Sequence, residues 1–379
     1  MKVIFKDVVK RANTKEDRFN TEKIYYVGGE HIHSNELLIN ERGIIKGSTI
    51  GPMFYFGFKA GQVLFVTRNP HLRKAAMVEF DGICSEKTLV LETMNPSVLS
   101  QDYLPIIMQS DNFWHYCEEH KSGGVNYFIN WSTLADYEFE LPSLEEQHSH
   151  SQKIWAAYRL RESYKKLLAA TDEMVKSQFI EMFGDQNTND KHWRESFVKD
   201  EFNLSMGKTP TRNNPDCWKG GLHKWISISD MSSYARYTGD TSEYITDFAI
   251  DDSGIKIVPK GTIIMSFKLS IGRTAITSED IYTNEAIIAF GEFDQKRFNI
   301  DFLHFLIANK NWLIGAKQAV KGKTLNKESI GNTKIIIPPI KLQEEFARVY
   351  NQADKSKSYV RIALKNLESI LGYCIRQVA

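Results

Sequence analysis

One glycine-led β pattern occurs twice in this chain. Gly61-Gln62-Val63-Leu64-Phe65-Val66-Thr67-Arg68 returns as Gly261-Thr262-Ile263-Ile264-Met265-Ser266-Phe267-Lys268. Further on, each copy is followed by a Pro-containing strand end that opens a long helical stretch. These are Leu141-Pro142-Ser143-Leu144-Glu145-Glu146-Gln147 and Ile337-Pro338-Pro339-Ile340-Lys341-Leu342-Gln343. A repeat of roughly 200 residues is far longer than the roughly 20 to 50 residues of a solenoid unit. The expectation is a duplicated domain plus helix, suited to a target with two similar halves.

The chain of 379 residues is 42% apolar and 25% charged, enough for two cores. It has no long apolar run and no apolar stretch behind Met1-Lys2-Val3-Ile4-Phe5, so the reading is a cytoplasmic protein without membrane span or signal peptide. Cys84, Cys117, Cys217 and Cys374 are scattered without Cys-x-x-Cys spacing, and are read as reduced packing residues. The net charge of +1 is not that of a generally basic nucleic-acid binder. Its distribution is uneven, because Lys310, Lys317, Lys321, Lys323 and Lys327 lie between Asp301 and Glu328 with no acid among them. Such a run either neutralises phosphates or forms a solvated face.

Residues 1–142 alternate short β-branched and aromatic runs with turn signals, as in Lys23-Ile24-Tyr25-Tyr26-Val27 before Gly28-Gly29. Residues 185–338 repeat that texture, with strands expected at Lys224–Ile228, Ile255–Val258, Thr262–Ser266 and Ala286–Phe290. Between them, residues 143–184 read as one helix, free of Pro and Gly from Leu144 to Phe183 and closed by Gly184. Its stripe is expected at Ala157, Leu160, Tyr164, Leu167, Thr171, Met174 and Gln178. Residues 339–379 read as a second helix whose seam is Leu342, Phe346, Val349, Ala353, Ser356, Val360, Ala363, Leu367, Ile370 and Cys374. That is a 3.5-residue period, the signature of a coiled coil.

The fold class expected is therefore α+β: two β-rich heads separated by two long antiparallel coiled-coil helices, a dumbbell with internal pseudo-symmetry. At about 1.5 Å per residue, each helix is roughly 60 Å long. A rigid spacer between two similar heads can fix the distance and phase between two half-sites on duplex DNA, and covalent rather than exact symmetry lets the half-sites differ.

Several segments resemble the signature of type I restriction-modification specificity subunits. They are Leu204-Ser205-Met206-Gly207-Lys208-Thr209-Pro210-Thr211-Arg212, Lys224-Trp225-Ile226-Ser227-Ile228-Ser229-Asp230-Met231, Gly322-Lys323-Thr324-Leu325-Asn326-Lys327 and Ile335-Ile336-Ile337-Pro338-Pro339. Lys176-Ser177-Gln178-Phe179-Ile180-Glu181-Met182-Phe183-Gly184-Asp185 is similar to the end of that family's spacer helix. The first half lacks the Gly-x-Thr-Pro element, and Tyr25-Tyr26-Val27-Gly28-Gly29-Glu30-His31-Ile32 stands where Trp225 to Met231 stands in the second. The resemblance implies two target-recognition domains (1–142 and 185–338) and two conserved spacer helices (143–184 and 339–379). It also implies no catalysis by the chain and no cofactor. The implied partners are double-stranded DNA, two adenine methyltransferase subunits and the restriction motor-nuclease subunits.

Catalytic patterns fall short. Asn69-Pro70-His71-Leu72 lacks the second proline and aromatic of an amino-methyltransferase loop, and Asp294-Gln295-Lys296 has no well-placed upstream Pro-Asp for a metal-dependent nuclease. The P-loop-like Gly207-Lys208-Thr209 and Gly322-Lys323-Thr324 have Phe202 and Lys317 where the first glycine is needed. His31/His33 and His148/His150 lack further ligands, so no metal is expected. For reading bases, Arg or Lys suits guanine and Asn or Gln suits adenine. Arg68, Asn69 and Arg73 in the first head, and Lys268 and Arg273 in the second, are the candidates. Lys208, Thr209, Arg212, Lys317, Lys321 and Lys323 suit phosphates, which position without specifying. Trp155 and Tyr158 are candidate anchors for a methyltransferase partner, or else pack under the first head. Two other readings stay open, a coiled-coil protein–protein adaptor and the recognition subunit of a system whose methylase and nuclease are fused in one partner.

Overall fold

The computed structural model describes residues 1–378 apart from 13, 269, 314–317, 320–321 and 324, and of 318–319 and 322–323 only the backbone. The chain divides into two compact units, residues 1–167 with 359–379, and residues 168–358.

In the first unit, strands β1 (Val9–Arg11), β2 (Val63–Val66), β3 (Ala75–Met77) and β4 (Thr88–Thr93) form an antiparallel sheet in the order β1-β4-β2-β3. In the second unit, β5 (Asn203–Met206), β6 (Ile263–Ser266), β7 (Thr274–Ile276) and β8 (Ile287–Gly291) form a sheet in the order β5-β8-β6-β7. The two orders are the same, so the sequence repeat is a structural repeat. The glycine-led strands are buried at every position because both faces of each sheet are covered. Val63 and Phe65 enter one core and Leu64 and Val66 the other, while Ile263 and Met265 are separated from Ile264 in the same way. A strand covered on both faces reads as a continuous apolar run rather than an alternation. Gly61 and Gly261 start these strands at φ of 87° and 79°, a left-handed geometry that favours glycine.

Each unit carries a second sheet. Tyr25–Val27 runs parallel to Gly82–Ser85 inside a five-stranded sheet, and His223–Ile226 runs parallel to Tyr282–Thr283 inside a three-stranded one. Tyr25 and Trp225 thus occupy corresponding strands, as the alignment of the two halves expects. The strand expected at Ile255–Val258 is reduced to one bridge, Val258 to Ile281.

Two long helices complete the fold, α1 (Leu144–Phe183) and α2 (Ile340–Arg376). Ser143 and Glu146 cap α1 reciprocally: the Ser143 amide donates to Glu146 Oε2 at 2.9 Å and the Glu146 amide to Ser143 Oγ at 3.3 Å. Gly184 ends it at φ 73°, its amide donating to Ile180 O at 2.8 Å. The first turn of each helix buries a glutamine. Gln147 Oε1 accepts from the Ser100 amide at 2.9 Å, and its Nε2 donates to Val98 O and Pro142 O at 2.9 and 3.0 Å. Gln343 repeats the arrangement with the Asn299 amide, Arg297 O and Pro338 O at 2.9, 2.9 and 2.8 Å.

Within each unit the two helices pack together. In the second, Phe346 meets Phe179 and Phe183 at 5.3 and 5.8 Å between ring centres, and Lys357 Nζ reaches Asp172 at 2.6 Å, so the directions are antiparallel there. In the first, Trp155 and Tyr158 share a core with Leu371 and Ile375. The period of 3.5 holds, but the seam lies one residue later at alternate positions. Tyr350, Lys357, Leu371 and Ile375 face inward on α2, where Val349, Ser356, Ile370 and Cys374 were expected to do so alone. On α1 Arg161 and Val175 are buried, whereas Leu160, Leu167 and Met174 are exposed. Adjacent apolar pairs such as Val349/Tyr350 and Ile370/Leu371 leave the local pattern ambiguous by one position, and packing against the heads selects between them.

Candidate nucleic-acid interface

The β2–β3 and β6–β7 hairpins end in corresponding loops. The Val66 amide donates to Lys74 O at 3.0 Å, and the Ser266 amide to Arg273 O at 2.9 Å. Arg273 therefore corresponds to Lys74, and Arg73 to Gly272.

The first loop is held from within. The Arg68 guanidinium lies over the Phe128 ring at 5.1 Å. Asn69 and Arg73 flank the turn Pro70–Leu72, and both are left-handed, with φ of 52° and 49°. Arg73 Nη1 donates to Asp111 Oδ1 at 2.8 Å. Beneath them the buried Gln109 amide donates to Ala75 O and to Glu36 O at 3.1 Å, and accepts from Trp114 Nε1 at 3.2 Å. Sequence reasoning missed Gln109, because its partners lie 34 and 73 positions away. In the second loop Lys268 and Arg273 are exposed, and the Arg273 side chain has no ion pair among the described residues.

Lys208, Thr209 and Arg212 brace the second head internally. Gly207 passes so close to the neighbouring strand that a Cβ would sit 1.8 Å from Thr283 O. The Lys208 amide donates to Thr283 O at 2.9 Å, its Nζ to Ser253 O at 2.7 Å, and its carbonyl accepts from Trp225 Nε1 at 2.9 Å. Thr209 Oγ1 donates to Glu285 and accepts from Asn284 Nδ2 at 2.9 Å. Arg212 pairs with Glu243 and stacks on Trp218 and Trp225 at 4.3 and 4.6 Å. Its charge is thereby engaged before any phosphate arrives. Asp230 accepts from Ser227 and Ser242; burial pushes its pKa up, but these bonds outweigh burial and hold the carboxyl below its usual value. Lys317, Lys321 and Thr324 lie outside the described residues, as does the side chain of Lys323.

Trp155 and Tyr158 are buried in the first unit, with Trp155 Nε1 donating to Asp102 O at 2.9 Å and Tyr158 hydroxyl to Glu36 Oε2 at 2.5 Å. They pack under the first head. Large apolar residues that do stand exposed include Leu160, Leu167 and Met174, spaced by seven, together with Ile180 on α1, and Tyr359, Ile362, Ile370 and Tyr373 on α2. The heptad spacing of Leu160, Leu167 and Met174 was legible, but these residues, like Ile370, were read as part of the seam.

The described residues contain no group of three His, Cys, Asp or Glu able to hold a metal. His31 Nδ1 accepts from the Gly28 amide and His33 pairs with Glu41, so those histidines are engaged locally. Glu119-His120-Lys121 has nuclease-like Glu-x-Lys spacing, but Lys121 pairs with Glu118 at 2.6 Å and His120 stacks on Tyr116. Cys84, Cys117 and Cys217 are buried, and burial pushes Cys84 up to about 12; Cys374 is exposed, contrary to its reading as a packing residue. No helix among the described residues is long and apolar enough to cross a membrane.

The geometry defines a duplicated α+β protein, each unit built from a doubly covered sheet, a polar hairpin loop and segments of two long helices. Residues 190–366 match the family described as Type I restriction modification DNA specificity domain. The type I restriction enzyme MjaIX specificity subunit of Methanocaldococcus jannaschii is 26% identical over 169 residues. The match covers 43% of this chain and only 38% of that relative's length. Among solved structures, the Type I restriction-modification S subunit from M. genitalium aligns over 99% of this chain and 95% of its own, with a TM-score of 0.64 at 13% identity. A chain from a type I R-M system studied for complex assembly and conformational transition aligns over 99% and 96%, with a TM-score of 0.57 at 17% identity. At these identities the structural likeness concerns the fold. The likeness to the type I restriction modification DNA specificity domain spans residues 190–366, just under half of the chain.

Proposed function

We propose that this chain is the sequence-specific DNA-binding specificity subunit of a type I restriction-modification system. It acts without catalysis of its own in the cytoplasm and reads a bipartite, asymmetric site with one recognition domain per half. The observation that carries this reading is the family match over residues 190–366, with the same sheet order repeated in the first unit. The hairpin loops supply donors to base edges, and Lys317, Lys321, Lys323 and Lys327 of the acid-free run supply charge to phosphates. The exposed stripes Leu160/Leu167/Met174 and Tyr359/Ile362/Ile370/Tyr373 supply apolar area for two adenine methyltransferase subunits, to which restriction subunits add.

Co-expression with a cognate adenine methyltransferase subunit, followed by mapping of adenine methylation across the host genome, tests the reading. The expected result is one bipartite motif with a fixed gap. Removing seven residues, one heptad, from both α1 and α2 is expected to shorten that gap while leaving each half-site's sequence intact. A stable complex that lays down no new methylation would favour the adaptor reading.

A further inference from the structure

We propose that Leu72 and Ile271 are matching apolar base contacts of the two heads, each placed to cover the C5 methyl of a thymine in the major groove. The inference rests on the DNA-binding reading and adds to it the residues and the base chemistry.

The backbone bonds from Val66 to Lys74 and from Ser266 to Arg273 align the two loops, and stepping back two residues from each acceptor reaches Leu72 and Ile271. Their exposures are nearly equal, 38% and 39%. Each is followed by a left-handed residue, Arg73 at φ 49° and Gly272 at φ 87°. Apart from a basic residue at each end, Arg68 with Lys268 and Lys74 with Arg273, little else is shared, since the loops run Thr67-Arg68-Asn69-Pro70-His71-Leu72-Arg73-Lys74 and Phe267-Lys268-Leu269-Ser270-Ile271-Gly272-Arg273.

Single exposed aliphatic residues are ordinary on protein surfaces. An aliphatic residue at the same place in two copies whose loops have otherwise diverged, and whose lengths differ, is not explained by that. In the first loop Arg68 is engaged on Phe128 and Arg73 by Asp111, and the exposed side chains at the tip are His71 and Leu72. Gln109 bonds the backbone beneath them at Ala75 O and Glu36 O.

The major groove, about 12 Å wide, admits a two-stranded ribbon. In the major groove the thymine methyl is the apolar feature among the base edges. His71 beside Leu72, and Lys268 and Arg273 beside Ile271, can then address neighbouring edges and phosphates.

The test is selection of sites from a random duplex pool by the full chain, followed by affinity measurements on the selected site with each thymine replaced in turn by uracil. Loss of one methyl contact is expected to weaken binding about fourfold, from about 0.8 kcal/mol per buried carbon. At least one thymine in each half-site should show this. Ile271→Ala should lose the preference for thymine over uracil in one half-site only, and Leu72→Ala in the other, with thermal unfolding unchanged because both residues are exposed. Selected sites at which no uracil replacement matters, or variants that keep full methyl sensitivity, would overturn the inference while leaving DNA recognition standing. Failure to enrich any duplex would overturn the DNA-binding reading, and this inference with it.

Discussion

The two units tie their loops to the helices at corresponding places but with opposite charge. In the first, the loop residue Glu36 accepts from Tyr158 and Arg161 of α1, and the Leu38 amide donates to Tyr158 hydroxyl at 3.3 Å. In the second, the loop residue is Arg236, which pairs with Asp301, donates to Asn351 of α2 at 2.7 Å and lies 3.8 Å from Asp354. The glutamine clamps at Gln147 and Gln343 are, by contrast, the same bond for bond. Ties to backbone survive divergence because every sequence offers the same carbonyls and amides, whereas a side-chain pair can be inverted if both members change.

The comparison can be broken by experiment, and the largest effect is expected at Arg236. It is almost fully buried and stacks on Tyr350 at 4.3 Å, so Arg236→Ala leaves the largely buried Asp301 without its cation, with only the Asn351 amide still donating to it at 2.7 Å. A loss of about 3 to 5 kcal/mol is expected in the unfolding of the second unit by denaturant. Arg161→Ala should cost less, since Glu36 keeps Tyr158 and lies 4.0 Å from Lys165. Equal losses would show that the inverted pairs are energetically equivalent after all.

The next effect depends on pH and belongs to the second unit. His304 donates to or accepts from Tyr350 hydroxyl at 3.0 Å, with Arg236, Asp301 and Lys357 around it, and burial first, then Arg236, lowers its pKa from 6.5 to about 4. The folded pKa lies below the unfolded one, so the unfolded state binds the extra proton between pH 6.5 and 4. Stability is therefore full above pH 6.5 and falls by up to about 3 kcal/mol as pH drops to 4. His304→Gln should flatten that slope for the second unit in unfolding curves taken across the window.

Gln147→Ala and Gln343→Ala each leave one buried amide and two carbonyls unpaired, and should each cost about 2 kcal/mol. Similar values would sharpen the equivalence of the two clamps, and a difference above about 1 kcal/mol would break it. The smallest effect is expected from Lys321→Ala. It should weaken binding about equally on all duplexes and reduce the slope of log affinity against log salt by about one.

Much of this architecture was legible along the chain. The recurrence of Gly61–Arg68 as Gly261–Lys268 announced the duplicated sheet, because a strand buried on both faces must be apolar throughout. The helix ends at Ser143/Glu146 and Gly184 were legible because capping and left-handed termination act within a few residues. Beyond that range local pattern stopped being informative. It could not choose between Val349 and Tyr350, or Ile370 and Leu371, because either choice keeps a 3.5-residue period. Nor could it show that Arg73 meets Asp111, that Arg212 meets Glu243 or that Arg236 is enclosed beneath Tyr350, because those partners lie tens of positions apart. The sequence by itself determined the repeat, the glycine-led strands and the two long helices with their ends, all set by short-range sterics, hydrogen bonding and hydrophobic period. Only the tertiary structure decided which cations are already paired and which side chains remain at the loop tips, because pairing and exposure depend on long-range packing.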